Sequence, residues 1–207
     1  MRINKIHLQN IKSYVDQTIE FFDGVNFISG NNGSGKSTLI ESIGYALFDL
    51  KPYDFREFVR HGESTGQINV WFEANDEREY LAIRKFSKSK HINWTIYDVE
   101  NGSELDLHGP DVSGWLRDNI GIDRDTKPEK LFGDVIGVQQ GMFSAPFLGS
   151  PQNRINLFNP ILKVDSYRRA FDATRECRTE LEKQISELQH KIELAQQEIR
   201  GYDEKRR

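Results

Sequence analysis

Cysteine is nearly absent. The single Cys177 among 207 residues excludes an internal disulfide framework and a cysteine-built zinc site. No apolar run approaches the roughly 20 residues that a membrane-spanning helix needs. The opening MRINKIHLQNIKSY alternates polar and apolar residues and lacks the unbroken apolar core of a secretory signal, so a cytoplasmic protein without membrane contact is expected. An excess of positive charge is missing too. With 28 Lys and Arg against 32 Asp and Glu the net charge is -4, so any nucleic-acid contact must use a local patch. At 37% hydrophobic and 29% charged residues the chain is polar for one compact domain, which points to a part that is not globular.

What is present falls into three styles of patterning. Ile3, Ile6, Leu8 and Ile11 alternate with polar residues and QTIEF repeats the alternation, which predicts two short strands. After Asp23-Gly24, VNFIS reads as a third strand running into a glycine-rich loop. Leu39, Ile40, Ile43, Leu47 and Phe48 then recur at helical spacing. Further on, QINVWFEA, EYLAIRKF and INWTIYDV predict an antiparallel meander. Val112, Trp115, Leu116 and Ile120 return to helical spacing, and DVIGV reads as another strand before QQGMFSAPFLGSP. Ser150-Pro151 then reads as an N-cap with proline at the first helical position, the helix closing at Asn159-Pro160.

From Tyr167 the pattern changes to Phe171, Thr174, Arg178, Leu181, Ile185, Leu188, Ile192, Ala195, Ile199 and Tyr202, separated alternately by four and three residues. A helix packed on a domain drifts towards the 3.6 period, whereas a sustained heptad belongs to a coiled coil. A coiled-coil strand is therefore expected, the alternative being a long surface helix. Arg178 weakens the seam. No returning helix follows, so the seam is expected to pair with another copy or with a segment beyond Arg207.

The stretch SGNNGSGKST carries the chemistry. Gly30, Gly35, Lys36 and Ser37 fit the phosphate-binding frame G-x-x-x-x-G-K-S, a match that arises by chance in roughly one chain in a hundred of this length. Backbone N–H groups across Asn32, Gly33, Ser34, Gly35, Lys36, Ser37 and Thr38 must point inward at phosphate oxygens, and glycine at 33 and 35 admits that conformation. The helix opening at Lys36 adds its positive dipole end. Lys36 is expected to reach the β- and γ-phosphates, and the Ser37 hydroxyl to ligate Mg²⁺.

Phosphoryl transfer also needs a carboxylate for the metal shell and a group that positions water. Glu73, Asp98 and Glu100 end strands of the meander, where a solvent-facing acid is the plain expectation. After residue 100 no apolar strand ends in Asp-Glu. RKFSKSKH gathers Arg84, Lys85, Lys88, Lys90 and His91 around a turn. They read either as a salt-sensitive, sequence-independent DNA contact or as a solvated hairpin tip.

The order of NIKSY, GNNGSGKST, FVRHG, a meander, VQQG and a heptad helix resembles the N-terminal half of Rad-fifty/SbcC-type ATPases, the SMC-related ABC proteins of DNA double-strand-break repair. The resemblance covers the whole chain. It implies an α/β (α+β) fold: lobe I of an ABC-type P-loop ATPase head over residues 1–160, with its antiparallel meander, and the start of a coiled-coil arm over 161–207. It implies ATP and Mg²⁺ as cofactors. Gln140, or Gln139 if the register differs by one, resembles the Q-loop glutamine that contacts Mg²⁺ or the attacking water, which makes Lys36 and Gln140 the catalytic candidates. Lys12 and Ser13 stand where the family has a basic residue and a serine on the nucleotide, although Lys replaces the familiar Arg and Tyr14 replaces a His. Asn32 matches an asparagine that faces the nucleotide in the closed dimer.

The family's signature motif, its Walker B acids and the Cys-x-x-Cys hook are not in this sequence, which implies a C-terminal half of the same head as partner. A second head, an Mre-eleven/SbcD-type nuclease and double-stranded DNA complete the implied partners. The location would be cytoplasmic, nucleoid-associated in a prokaryote or nuclear in a eukaryote. An SMC-type chromosome-organising ATPase head is the alternative. A small P-loop kinase or GTPase fits less well, having its own acid and no heptad arm.

Overall fold

The computed structural model describes residues 1–51, 54–122, 126–138, 144–162 and 164–205. In chain order its elements are β1 (Arg2–Ile11), β2 (Tyr14–Glu20), α1 (Lys36–Phe48), α2 (Phe55–Phe58), β3 (Thr65–Glu73), β4 (Glu79–Ser87), β5 (His91–Asp98) and β6 (Ser103–Glu104). Then come α3 (Pro110–Ile120), α4 (Pro128–Leu131), a π-helical turn (Phe132–Ile136), α5 (Ala145–Leu148), α6 (Pro151–Leu162) and α7 (Val164–Lys205). They divide into two units, Met1–Leu157 and Phe158–Arg207.

In the first unit the six strands form one sheet in the order β2-β1-β3-β4-β5-β6, with antiparallel pairs throughout. Alternation sets its two faces. Ile6 and Leu8, then Ile68, Val70 and Phe72, then Tyr80, Ala82 and Phe86, then Trp94 and Ile96 are buried on one side. Helix α1 belongs to that core: Leu39, Ile43, Tyr45, Ala46, Leu47 and Phe48 are all buried, so it is packed around most of its circumference. Edge-on contacts of Tyr45 with Phe58 and Phe86, at 5.8 and 5.2 Å between ring centres, tie α1 to α2 and β4. Trp115 of α3 meets Tyr80 at 4.8 Å.

Arg84 lies in the same core. Its side chain is 3% exposed, the guanidinium lies 3.9 Å from the ring centres of both Tyr45 and Trp94, and it donates to the Tyr45 carbonyl (2.8 Å) and to the Asp49 carboxylate. Trp94 adds an indole N–H bond of 3.0 Å to the Ala46 carbonyl. Two last-turn carbonyls of α1 therefore receive side-chain donors, in addition to the Asp49 N–H that returns to Gly44. The expectation that Arg84 sits with the lysines on an open hairpin is corrected. Period-two alternation turns it inward between Ala82 and Phe86.

Four further expectations change. Val25–Ser29 is not a strand: Val25 and Phe27 are 101% and 90% exposed, and no neighbouring strand among the described residues offers this segment a hydrogen-bonding ladder. DVIGV is not a strand either. Pro128 opens α4, the chain widens into the π turn closed by Gly137 N–H on the Phe132 carbonyl (2.7 Å), and Phe132 packs on Phe48 with 4.8 Å between ring centres. Helix α6 does begin at Pro151, with Ser150 Oγ accepting from Asn153 N–H at 3.3 Å, but it continues past Asn159-Pro160 to Leu162.

Asp98, expected to face solvent, is 2% exposed. It accepts from Arg78 (2.8 Å) and from the backbone and side-chain N–H groups of Asn101. These donors, the Asn101 backbone N–H first, hold its carboxyl below the usual value.

The second unit is dominated by the 42 residues of α7, about 60 Å at 1.5 Å per residue. Phe171, Leu181, Ile185, Leu188 and Ile192 are each more than half exposed along it.

Replacing the buried guanidinium tests what holds α1. Arg84→Ala should lower stability by about 2–4 kcal/mol, the range for losing hydrogen bonds to a charged group together with packed volume. Urea unfolding reads this directly, and an unchanged midpoint would show that the sandwich contributes nothing.

Candidate nucleotide-binding site

The glycine-rich loop runs from Gly30 to the first turn of α1. Gly33 and Gly35 both take left-handed backbone angles, φ +81° and +100°, which only glycine adopts without strain. Gly35 is the N-cap of α1, and the first α-helical bond is Leu39 N–H to the Gly35 carbonyl at 3.0 Å. The N–H groups of Lys36, Ser37 and Thr38 precede that bond and have no acceptor within the helix. They face the same end as the positive pole of the helix. Asn32, Gly33, Ser34 and Ser37 are exposed, Gly35 and Lys36 are half-buried and Thr38 is buried. The Lys36 ammonium donates to the carbonyls of Gly30 and Asn31 at 2.7 and 2.8 Å, so a full positive charge is curled over the loop.

The β1–β2 turn closes the loop from behind. Ile11 and Tyr14 are ladder partners, which leaves Lys12 and Ser13 as a two-residue turn, with Lys12 at φ +44°. Ser13 Oγ reaches the Ser34 carbonyl at 3.5 Å and Tyr14 Oη donates to the Gly35 carbonyl at 3.1 Å. Lys12 Nζ lies 3.6 Å from the Glu41 carboxylate on α1. Arg60 Nη1 donates to the carbonyls of both Lys12 and Ser13, at 3.0 and 3.1 Å. Burial raises the Tyr14 pKa, so its hydroxyl stays a donor.

Of the residues that the sequence singles out, Lys12 and Ser13 thus lie beside Asn32 to Thr38. Gln139 and Gln140 lie outside the described residues. Lys85 and Lys90 are exposed and Lys88 half-buried at the β4–β5 hairpin. Glu73 pairs with Arg2 (2.9 Å) and Glu100 with Arg78 (3.2 Å), so both acids serve structural ion pairs. Among the described residues no group of three or more His, Cys, Asp or Glu side chains is arranged to hold a metal ion. Ser37, expected from the sequence to ligate Mg²⁺, is an exposed hydroxyl in the first turn of α1. Arg60 and Glu41 belong to this constellation without having been singled out, and Tyr14, noted in the sequence only as the replacement of a His, belongs to it as well. Arg60 lies within the quoted FVRHG, but nothing local in that stretch reveals what it holds.

A family model described as an AAA domain matches residues 5–206. The chain belongs to this AAA domain family. The AAA domain is similar to the DNA double-strand break repair Rad50 ATPase of Thermoplasma acidophilum, 29% identical over 210 residues that cover 99% of this chain and 23% of that protein. The protein of the same name from Archaeoglobus fulgidus is 25% identical over 206 residues, 99% of this chain and 21% of its own. The AAA domain therefore spans less than a quarter of the length of these curated relatives. A solved structure from work on the structural biochemistry of ATP-driven dimerization and DNA stimulated activation of SMC ATPases superposes with a TM-score of 0.58 at 20% identity. It covers 78% of this chain and 99% of that one, which shows a shared fold. The resemblance to Rad-fifty/SbcC-type ATPases is borne out, with a mixed α/β architecture around an antiparallel sheet.

A side chain at position 35 of this AAA domain meets two obstacles: the left-handed φ, and a Cβ that would run into Ser13 Oγ and lie 2.8 Å from the Tyr14 ring. Gly35→Ala should destabilise the protein by about 1–3 kcal/mol, the usual cost of a strained backbone position. Thermal or urea unfolding would register it, and a wild-type midpoint would mean that the turn does not press on the loop.

Proposed function

We propose that the chain is the N-terminal ATP-binding lobe of a DNA double-strand-break repair ATPase head. The observation that carries this reading is the run of Lys36, Ser37 and Thr38 N–H groups opening α1 without acceptors inside the helix, with the Lys36 ammonium curled over the preceding loop. When a triphosphate enters, Lys36 exchanges two neutral carbonyls for anionic β- and γ-oxygens, a stronger pairing for a cation. Gly33 and Gly35 admit the backbone, Asn32, Ser34 and Thr38 line the loop, and the Ser37 hydroxyl with Gln140 would hold the Mg²⁺ that neutralises phosphate charge. Lys12 and Ser13 approach the nucleotide from the β1–β2 turn.

Hydrolysis requires the rest of the head. The exposed Val25–Ser29 segment supports a bipartite site, because an apolar stretch with no strand beside it among the described residues is suited to a ladder supplied by a C-terminal half. Residues 1–160 would form the head lobe and 161–207 the start of an arm, whose exposed Phe171, Leu181, Ile185, Leu188 and Ile192 suit a coiled-coil partner. Two heads would engage around ATP, with an Mre-eleven/SbcD-type nuclease and double-stranded DNA as partners, in the cytoplasm or on the nucleoid. Similarity to SMC ATPases keeps a chromosome-organising head as the second reading. Sequence beyond Arg207 separates the two: a Cys-x-x-Cys hook at the arm's apex for repair, a folded hinge domain for SMC.

ATP hydrolysis by this chain, alone and mixed with the C-terminal segment of the same protein, tests the bipartite head. Turnover should appear on mixing and vanish with Lys36→Ala. Robust turnover by the chain alone would overturn the division of the site. For DNA, changing Lys85, Lys88 and Lys90 together to Ala should weaken binding of the whole complex to duplex DNA and reduce the steepness of its salt dependence by up to about three phosphate contacts. Unaltered binding would make the hairpin a solvated tip.

A further inference from the structure

A trans peptide is planar, so a carbonyl and the N–H of the following residue point in opposite directions. Pinning one therefore aims the other. Two consecutive peptides of the phosphate loop are pinned in this way by the β1–β2 turn: the Ser34 carbonyl by Ser13 Oγ and the Gly35 carbonyl by Tyr14 Oη. The second contact is the shorter, 3.1 Å against 3.5 Å. The Gly35 carbonyl also accepts Leu39 N–H, so the Tyr14 hydroxyl reinforces the bond that opens α1. With that carbonyl held towards the turn and the helix, the Lys36 N–H is turned to the other side of its peptide, where the phosphate would lie.

The turn is itself held from outside. Lys12 N–H donates to the Phe58 carbonyl (3.1 Å) and Arg60 N–H to the Asn10 carbonyl (2.9 Å), while the Arg60 guanidinium grips the carbonyls of Lys12 and Ser13. Resting on the phosphate-loop reading above, we infer that Tyr14 is a positioning residue for phosphate binding, aiming the Lys36 N–H through the Gly35 carbonyl, and that Arg60 is the brace that keeps Tyr14 in place. Neither side chain needs to touch the nucleotide. The brace acts from 46 residues along the chain and fixes a turn in which Lys12 occupies a left-handed conformation that ordinarily favours glycine.

The experiment uses the full-length ATPase and its Lys36→Ala, Tyr14→Phe, Arg60→Gln, Arg60→Lys and Tyr14→Phe/Arg60→Gln variants. A fluorescent ATP analogue gives the dissociation constant, and thermal unfolding of the nucleotide-free protein gives the fold. Loss of one neutral hydrogen bond corresponds to about three- to tenfold weaker binding. That loss is expected for Tyr14→Phe with the unfolding midpoint within a degree or two of wild type. Arg60→Gln should weaken binding in the same sense, Arg60→Lys should recover part of it, and the double variant should lose less than the product of the single losses, because the two residues act along one path. A Tyr14→Phe protein that folds and binds ATP as wild type does overturns the inference while leaving the phosphate-loop reading intact. Should Tyr14→Phe not fold, the Arg60 pair decides on the same criterion. Wild-type binding that survives Lys36→Ala overturns both.

Discussion

The constraint on which the rest of the fold depends is the attachment of α1 to the sheet at both of its ends. A helix buried around most of its circumference has few ways to finish, because its last carbonyls must find donors where water is excluded. Arg84 and Trp94 supply them. Burying a guanidinium costs several kcal/mol, offset here by a carboxylate, a backbone carbonyl and two aromatic faces at 3.9 Å. Arg84 and Trp94 are also ladder partners on β4 and β5, so the cap at the end of α1 is built into strand register. At the opposite end the β1–β2 turn holds Gly35. The glycine-rich loop thereby leads into an element that the sheet fixes at both ends.

Much of this was readable in the sequence where pattern and local chemistry agree. Alternation placed β1, β3, β4 and β5, and the glycine frame located the start of α1 at Lys36. The misplacement of Arg84 is instructive because the signal was present. In EYLAIRKFS the inward positions are Tyr80, Ala82, Arg84 and Phe86, so the period that identified the strand also assigned Arg84 to the core and Lys85 to the outside. Grouping charges by proximity along the chain overrode it. Asp98 follows the same rule, two and four residues after the inward Ile96 and Trp94, and so faces the core.

Other features could not be read locally. VNFIS has the composition of a strand, but a strand exists only with a neighbour, and none of the described strands lies beside it. DVIGV follows Phe132, which packs on Phe48, and ends a π turn in which Ile136 is 51% exposed; periodicity over five residues cannot distinguish such a turn from a strand. The contact between Arg60 and the β1–β2 turn links positions 48 and 47 residues apart through backbone carbonyls, and a carbonyl leaves no trace in residue identity.

On the proposed reading the glycine-rich loop holds phosphate, and the use the meander makes of its acids then decides what else the lobe can supply. The groups around the loop lie between Lys12 and Arg60 and are joined across the chain, Tyr14 to the Gly35 carbonyl, Arg60 to the Lys12 carbonyl and Lys12 to Glu41. The three acids at the strand ends of the meander are already paired: Glu73 with Arg2, Glu100 with Arg78, and Asp98 with Arg78 and Asn101. Freeing Asp98 would leave the half-exposed Arg78 and two Asn101 N–H donors without their acceptor, a cost with no compensating gain inside the lobe. A carboxylate brought in by a second surface meets no such conflict. The pairing of Glu73, Asp98 and Glu100 within the meander therefore supports the proposed bipartite arrangement, in which phosphate grip and hydrolytic acid come from different surfaces.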